Sequence, residues 1–138
     1  MEFEAPDDLP PGSRIGPYDV LEELGSGGMG QVFLGNDTRL KRRVALKRLF
    51  ASMKADEDVR AAVIREARAA ARVTHSNVAT VYDVLEQDGN AFIVMEYLEG
   101  ESLARRLARE RLPFDRVIAI GQQLADALTA AHGSATAN

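Results

Sequence analysis

Short apolar stretches alternate with polar and turn-forming residues between positions 18 and 49. The stretches read YDVLEEL, QVFLGN and RVALKRL, and a glycine cluster separates the first from the second. Runs of this length that end at Gly, Asn, Asp or Thr are typical of β-strands joined by tight turns. The pattern predicts three consecutive antiparallel strands.

A helical pattern follows over residues 56–73, which contain no Gly or Pro and are rich in Ala and Arg. Apolar side chains recur there at helical spacing, at Val59, Val63, Ala67 and Ala70, which predicts one amphipathic helix. Next come the stretches VATVYDVLE and AFIVMEYL, joined by QDGN. Because Asp-Gly between two apolar runs is a strong hairpin signal, two further strands are predicted.

Two helical stretches, ESLARRLARE and FDRVIAIGQQLADALTAAH, follow Gly100 and are separated at Leu112 and Pro113. The second stretch is apolar on more than one side, which predicts a mostly buried helix. Its apolar residues are Val117, Ile118, Ile120, Leu124, Ala125 and Leu128. Since such a helix needs neighbours on several sides, we expect self-association through it wherever those neighbours are missing.

Length and composition narrow the class of protein. The chain has 138 residues, of which 46% are apolar, enough for a single core. A formal net charge of −4 argues against a nucleic-acid binder, and the absence of cysteine together with two isolated histidines predicts no metal site. No apolar run is long enough for a membrane helix and the acidic start is unlike a signal peptide, so we expect a cytoplasmic protein with no membrane segment.

The glycine cluster, Gly25–Gly30, reads GSGGMG and satisfies GxGxxG, a pattern that two unrelated phosphate-binding designs share. In dinucleotide-binding folds the glycines open a helix, whereas here the strand-like run QVFL follows. Glycine allows main-chain N–H groups to approach phosphate oxygens closely. The sequence therefore predicts a phosphate-covering hairpin, with a plain glycine-rich turn as the alternative.

A lysine and a glutamate add a second signal. Lys47 ends the segment VALK, in which Ala45 and Lys47 point to the same face of a strand. If the predicted helix packs on the sheet, its Glu66 can hold the Lys47 ammonium in place for phosphate oxygens. The alternative is that Glu66, flanked by arginines, belongs to a solvated face.

These segments together resemble the N-terminal lobe of protein kinases, in particular bacterial serine/threonine protein kinases of eukaryotic type. The matching segments, in the family's order and spacing, are LGSGGMGQV at 24–32, VALK at 44–47, Glu66, His75-Ser76-Asn77, and IVMEYLEGESL at 93–103. The resemblance implies an α+β fold with a five-stranded antiparallel sheet and one packed helix, followed by a hinge, two helices and a truncated lower lobe.

The resemblance also implies a division of the chain. A disordered tail is expected over residues 1–14 and a partial protein kinase domain over 15–138. Within that domain we expect the N-terminal lobe at 15–96, the hinge at 96–100 and the first two helices of the second lobe at 101–132.

By the same resemblance, the glycine loop covers the phosphates of ATP, and Lys47 contacts them while paired with Glu66. Met95 is the gatekeeper, and the Glu96 carbonyl and Leu98 N–H read the adenine edge. Lys47 and Glu66 are thus the expected catalytic residues. The expected cofactor-binding residues are Leu24, Gly25, Ser26, Gly27, Gly28, Met29, Gly30, Gln31, Val32, Ala45, Lys47, Met95, Glu96, Tyr97 and Leu98.

One departure from the family pattern lies after His132, where the sequence reads GSATAN in place of the family's His-Arg-Asp and Asp-Phe-Gly segments. Phosphoryl transfer needs a group that positions the acceptor hydroxyl, and ligands for Mg²⁺. We therefore expect the ATP-binding part of a kinase that phosphorylates protein serine or threonine in its complete form, and no activity from this polypeptide alone. The alternatives are a non-catalytic nucleotide-binding or regulatory module and an inert product.

Overall fold

The structure, a computed structural model, describes residues 9–27, 30–49 and 57–135. Within these ranges the strands are β1 Arg14–Ile15, β2 Tyr18–Gly27, β3 Gly30–Asp37, β4 Arg42–Leu49, β5 Val81–Gln87 and β6 Asn90–Glu96. The helices are α1 Glu57–Ala70, α2 Leu103–Arg109 and α3 Phe114–Ala135. The strands form one antiparallel sheet in the order β1-β2-β3-β4-β6-β5. The predicted α+β class is confirmed, with β2 to β6 as the five predicted strands and β1 in addition.

Strand β4 lies between β3 and β6, and its alternate residues serve the two faces of the sheet. Val44 and Leu46 are 0% exposed and belong to the main apolar core, which lies on the face that we call the outer face. The opposite face, which carries Ala45, Lys47 and Leu49, is the inner face. The other members of that core are Ile15, Tyr18, Val20, Phe33, Phe92 and Val94. On the inner face, Leu49 packs with Ile64 of α1 and Ala91 of β6. Helix α1 therefore covers one end of the inner face.

Helix α1 presents a different stripe to the sheet from the predicted one. Ile64 and Ala67 are buried, whereas Val59 is 41% exposed and Ala70 is also exposed. The predicted face is therefore wrong at both ends. The side chain of Arg60, one position after Val59, is 22% exposed, and its guanidinium lies 3.3 Å from Glu86 Oε1 of β5.

Residues 9–14 are hydrogen-bonded, although the sequence predicts a disordered tail over 1–14. The N–H of Gly12 donates to the Val20 carbonyl, and the N–H of Val20 donates to the Ser13 carbonyl, each at 2.8 Å. Main-chain groups make these contacts, so the polar composition that suggested disorder does not reveal them. The tail prediction needs correction over residues 9–14, and residues 1–8 lie outside the described residues.

A side chain joins the first strand to the last in the sheet. Gln87, at the end of β5, accepts the N–H of Gly16 at 2.9 Å and donates to the carbonyl of Arg14 at 3.0 Å. Leu85 of β5 also lies beside Gly16. One amide side chain thus makes the two hydrogen bonds that a paired strand would supply.

The turn between β3 and β4 is built around Asp37, which is 1% exposed. Its Oδ1 accepts the N–H of Arg39 at 3.0 Å and that of Leu40 at 3.2 Å, and the guanidinium of Arg42 lies 3.8 Å from Oδ2. Burial raises the pKa of Asp37, but the two main-chain donors and the arginines outweigh it and hold that pKa below its ordinary value. The turn fixes the pairing of β3 with β4.

Helix α3 is more exposed than predicted. Five of the six apolar side chains expected to be buried are exposed, namely Val117, Ile118, Leu124, Ala125 and Leu128. The helix is joined to the segment before β5 by Asn77, whose Nδ2 donates to the carbonyl of Gln123 at 3.2 Å. The prediction of a mostly buried α3 is wrong here, because nothing among the described residues covers these side chains. Nor do the described ranges hold a helix long and apolar enough to cross a membrane.

Candidate functional site

The register of three strands gathers predicted site residues on the inner face of the sheet. Lys47 of β4 pairs with Val32 of β3 and with Ile93 of β6. Ala45, two residues before Lys47 in β4, pairs with Met95 of β6. Since opposite and alternate residues share a face, these five side chains lie together. Ile93 was not among the predicted site residues, although alternation from Met95 would have indicated it.

The glycine loop continues β2 and β3 to their tip. Gly25 pairs with Val32, Ser26 with Gln31 and Gly27 with Gly30. Leu24 falls in a register shift, a bulge that leaves it without a cross-strand partner and exposed. Residues 28 and 29, predicted to bind phosphate, lie outside the described residues.

The glycines of this loop differ in whether the surrounding structure leaves room for a side chain. A Cβ added to Gly25 or Gly27 would meet nothing within 4 Å. A Cβ added to Gly30 would collide with the main-chain carbonyl of Arg48, and the φ angle of Gly30 is +147°, a value that L side chains rarely adopt. Packing within the chain therefore explains Gly30 but explains neither Gly25 nor Gly27.

Lys47 and Glu66 do not form the expected pair in this structure. Lys47 is half-buried and Glu66 is exposed, and no hydrogen bond or ion pair between described residues joins them. The helical repeat gives the reason, because a side chain two positions after the buried Ile64 points about 200° away around the helix. Helix α1 packs on Leu49, two residues after Lys47 in β4, but turns Glu66 to solvent.

The segment predicted to be the hinge begins where β6 ends. The N–H of Glu96 donates to the Thr80 carbonyl at 2.8 Å, and the N–H of Thr80 donates to Glu96 Oε2 at 3.1 Å. Tyr97 is half-buried, and Leu98 is 62% exposed. Thr80 was missed from the sequence because its contribution comes from main-chain atoms, which leave no residue-type signal.

The protein kinase domain family matches residues 18–136 of this chain. The chain belongs to the protein kinase family. Its relatives include the serine/threonine-protein kinase PknE of Mycobacterium bovis, 38% identical over 124 residues, which cover 89% of this chain and 22% of PknE. The serine/threonine-protein kinase pkn2 of Myxococcus xanthus is 41% identical over 126 residues, which cover 90% of this chain and 15% of that protein.

Solved kinase domains share the fold. The crystal structure of the Mycobacterium tuberculosis PknI kinase domain superimposes with a TM-score of 0.84 at 34% identity. The match covers 91% of this chain and 51% of that kinase domain. The chain therefore spans about half of a solved kinase domain and, at 22% of PknE and 15% of pkn2, a minor part of the curated relatives. The bacterial serine/threonine kinase resemblance is confirmed.

The two kinds of loop glycine predict different effects on stability. Gly30→Ala should lower the free energy of unfolding by about 1–3 kcal/mol, because the new Cβ forces the loop or β4 to move. Gly27→Ala should change it by less than about 0.5 kcal/mol, since the added methyl enters open space. Urea denaturation of the two variants and the wild type measures the difference. Equal losses in both variants would contradict this assignment.

Proposed function

We propose that this chain forms the ATP-binding part of a serine/threonine protein kinase. The observation that carries the proposal is the open glycine loop next to Lys47. Neither packing nor a positive φ angle requires glycine at positions 25 and 27, so the missing side chains leave space in which a ligand can approach the main chain closely. Lys47 sits beside Val32 at the base of that loop, so its ammonium offers a positive charge to the same ligand. Loop amides and an ammonium are what phosphate oxygens need.

The apolar part of the inner face suits an aromatic base. Ala45 and Met95 lie side by side on paired strands, and Val32 lies one row further toward the loop. We assign Leu24, Val32 and Ala45 to the roof over adenine and Met95 to the gatekeeper position. A slot of apolar side chains with a few main-chain polar groups is the usual site for such a ligand.

The hinge supplies those polar groups in this proposal. We assign the main-chain carbonyl of Glu96 and the N–H of Leu98 to the adenine edge, with Tyr97 between them. The high exposure of Leu98 fits a segment that borders an open cleft. Ser26 and Gln31, paired near the tip of the loop, are assigned to the phosphate end.

The Lys47–Glu66 pair belongs to the same proposal as the arrangement that positions the ammonium for transfer. Because Glu66 faces solvent in this structure, forming the pair requires α1 to turn about its axis. Mg²⁺, when bound to ATP, neutralises phosphate charge. The described residues contain no group of three or more His, Cys, Asp or Glu that could hold a metal ion, so we assign no Mg²⁺ ligand to them.

For the whole protein we propose phosphoryl transfer from ATP to serine or threonine of a protein substrate, in the cytoplasm. The names of its relatives support this activity. A second candidate, a non-catalytic nucleotide-binding or interaction module, is favoured by two observations. Glu66 is turned away from Lys47, and α3 exposes apolar side chains that suit contact with another protein.

Removing the Lys47 charge tests nucleotide binding. Lys47→Met should weaken ATP binding by about 1.5–3 kcal/mol, because a charged contact to phosphate is lost. Arg65→Met removes an exposed positive charge from α1 and serves as the matched control, with ATP affinity close to wild type. Titration calorimetry gives the three values, and equal affinities for wild type and Lys47→Met would contradict the proposal.

The 138-residue polypeptide on its own should transfer no phosphate. The loop and lysine act by position and charge, and they cannot replace the groups that orient the acceptor hydroxyl and hold Mg²⁺. Radiolabelled ATP with a generic acceptor protein should give incorporation equal to that of Lys47→Met. Lys47-dependent phosphorylation by the pure polypeptide would overturn this expectation.

The exposed side of α3 should make the polypeptide associate with itself. Val117 and Leu124 lie seven residues apart on one side of the helix, so replacing both with lysine places two like charges within that apolar surface. Light scattering should show a mass that rises with concentration for wild type and falls toward the monomer for the double variant. A wild-type polypeptide that stays monomeric at high concentration would refute the expectation.

A further inference from the structure

The end of β6 and the residue before β5 are joined by an unequal pair of hydrogen bonds. In a hydrogen-bonded antiparallel pair, two opposite residues exchange two main-chain hydrogen bonds. Glu96 and Thr80 exchange one, from the Glu96 N–H to the Thr80 carbonyl at 2.8 Å. The Thr80 N–H goes instead to the carboxylate of Glu96, 3.1 Å away at Oε2. A side chain thus takes the place of its own residue's carbonyl.

The hydrogen bond from the Thr80 N–H to the Glu96 carboxylate affects the main-chain carbonyl of Glu96. Thr80 has one N–H, and the carboxylate is a stronger acceptor for it than a neutral carbonyl. Once the N–H is bound to the side chain, the carbonyl of Glu96 does not complete the ladder with Thr80. The pairing of β6 with β5 stops at this point, so the Glu96 carbonyl is not used by that pairing.

The Glu96 carboxylate lies on the side of β6 where Thr80 precedes β5. Glu96 and Leu98 border a cavity of about 340 Å³ whose other lining residues belong to the segment 76–79 and to α3. No residue of the glycine loop and none of β4 lines this cavity. The Glu96 carboxylate is therefore placed to hold the hinge from behind rather than to touch a ligand beneath the loop.

From this geometry we infer that the side chain of Glu96 is a positioning group for nucleobase recognition. By binding the N–H of Thr80, it keeps its own main-chain carbonyl available to the exocyclic amine of adenine. This inference rests on the proposed ATP site. Without the carboxylate, the Thr80 N–H pairs with the Glu96 carbonyl, the ladder extends by one bond, and the carbonyl is held toward Thr80 and away from the nucleobase.

The test compares the binding of adenosine with the binding of inorganic tripolyphosphate. Glu96→Ala should raise the dissociation constant for adenosine about tenfold, the loss expected for one hydrogen bond. Glu96→Gln, whose amide oxygen can still accept from Thr80, should stay within about threefold of wild type. Inorganic tripolyphosphate should bind wild type and both variants equally, because it does not reach the hinge. Glu99→Ala removes a nearby exposed carboxylate and serves as the charge control.

A second measurement needs no ligand. Amide hydrogen exchange at Thr80 should stay slow in Glu96→Ala, because the N–H moves from the carboxylate to the Glu96 carbonyl, and should match wild type in Glu96→Gln and Glu99→Ala. Exchange at Thr80 in Glu96→Ala as fast as that of an unbonded amide would overturn the inference whether or not nucleotides bind, because the carbonyl would then not have replaced the carboxylate. Equal adenosine affinity of wild type and Glu96→Ala would also overturn it. Failure of the wild type to bind ATP or adenosine would count instead against the proposed function.

Discussion

The double pairing of strand β4 is the constraint on which the rest of the structure depends. Val44 and Leu46 are completely buried in the outer core, and alternation then places Ala45 and Lys47 on the inner face. A register slip of one residue would bring Lys47 into the outer core and Leu46 onto the inner face. The apolar core on one side of the sheet therefore fixes the position of a charged amine on the other side.

Features carried by side-chain periodicity or by turn chemistry were predictable from the sequence. The β5–β6 hairpin is one, since Asp88 and Gly89 both adopt positive φ angles, as an Asp-Gly turn requires. Features that depend on main-chain atoms or on long polar side chains could not be predicted from the sequence. Strand β1 is held partly by the amide of Gln87, and the face that α1 presents to the sheet includes Arg60, whose guanidinium pairs with Glu86 of β5. Neither position stands out by residue type alone.

The candidate site depends on a helix that is held by contacts of two kinds. Ile64 and Ala67 bury apolar surface against the sheet, whereas Arg60 bonds the half-exposed Glu86. A partly exposed ion pair contributes little, on the order of 0–1 kcal/mol. Turning Glu66 toward Lys47 therefore mainly costs the repacking of Ile64 and Ala67, and the ion pair adds little to that cost.

The amide of Gln87 also affects how the sheet meets other molecules. The outermost strands of an open sheet carry unpaired N–H and C=O groups, which can recruit a strand from another chain. Here the end of β5 binds the N–H of Gly16 and the carbonyl of Arg14, so polar groups on the β1 edge are already satisfied. The two outermost strands thereby shield each other at this corner of the sheet, and intermolecular strand addition there would first have to displace a glutamine side chain.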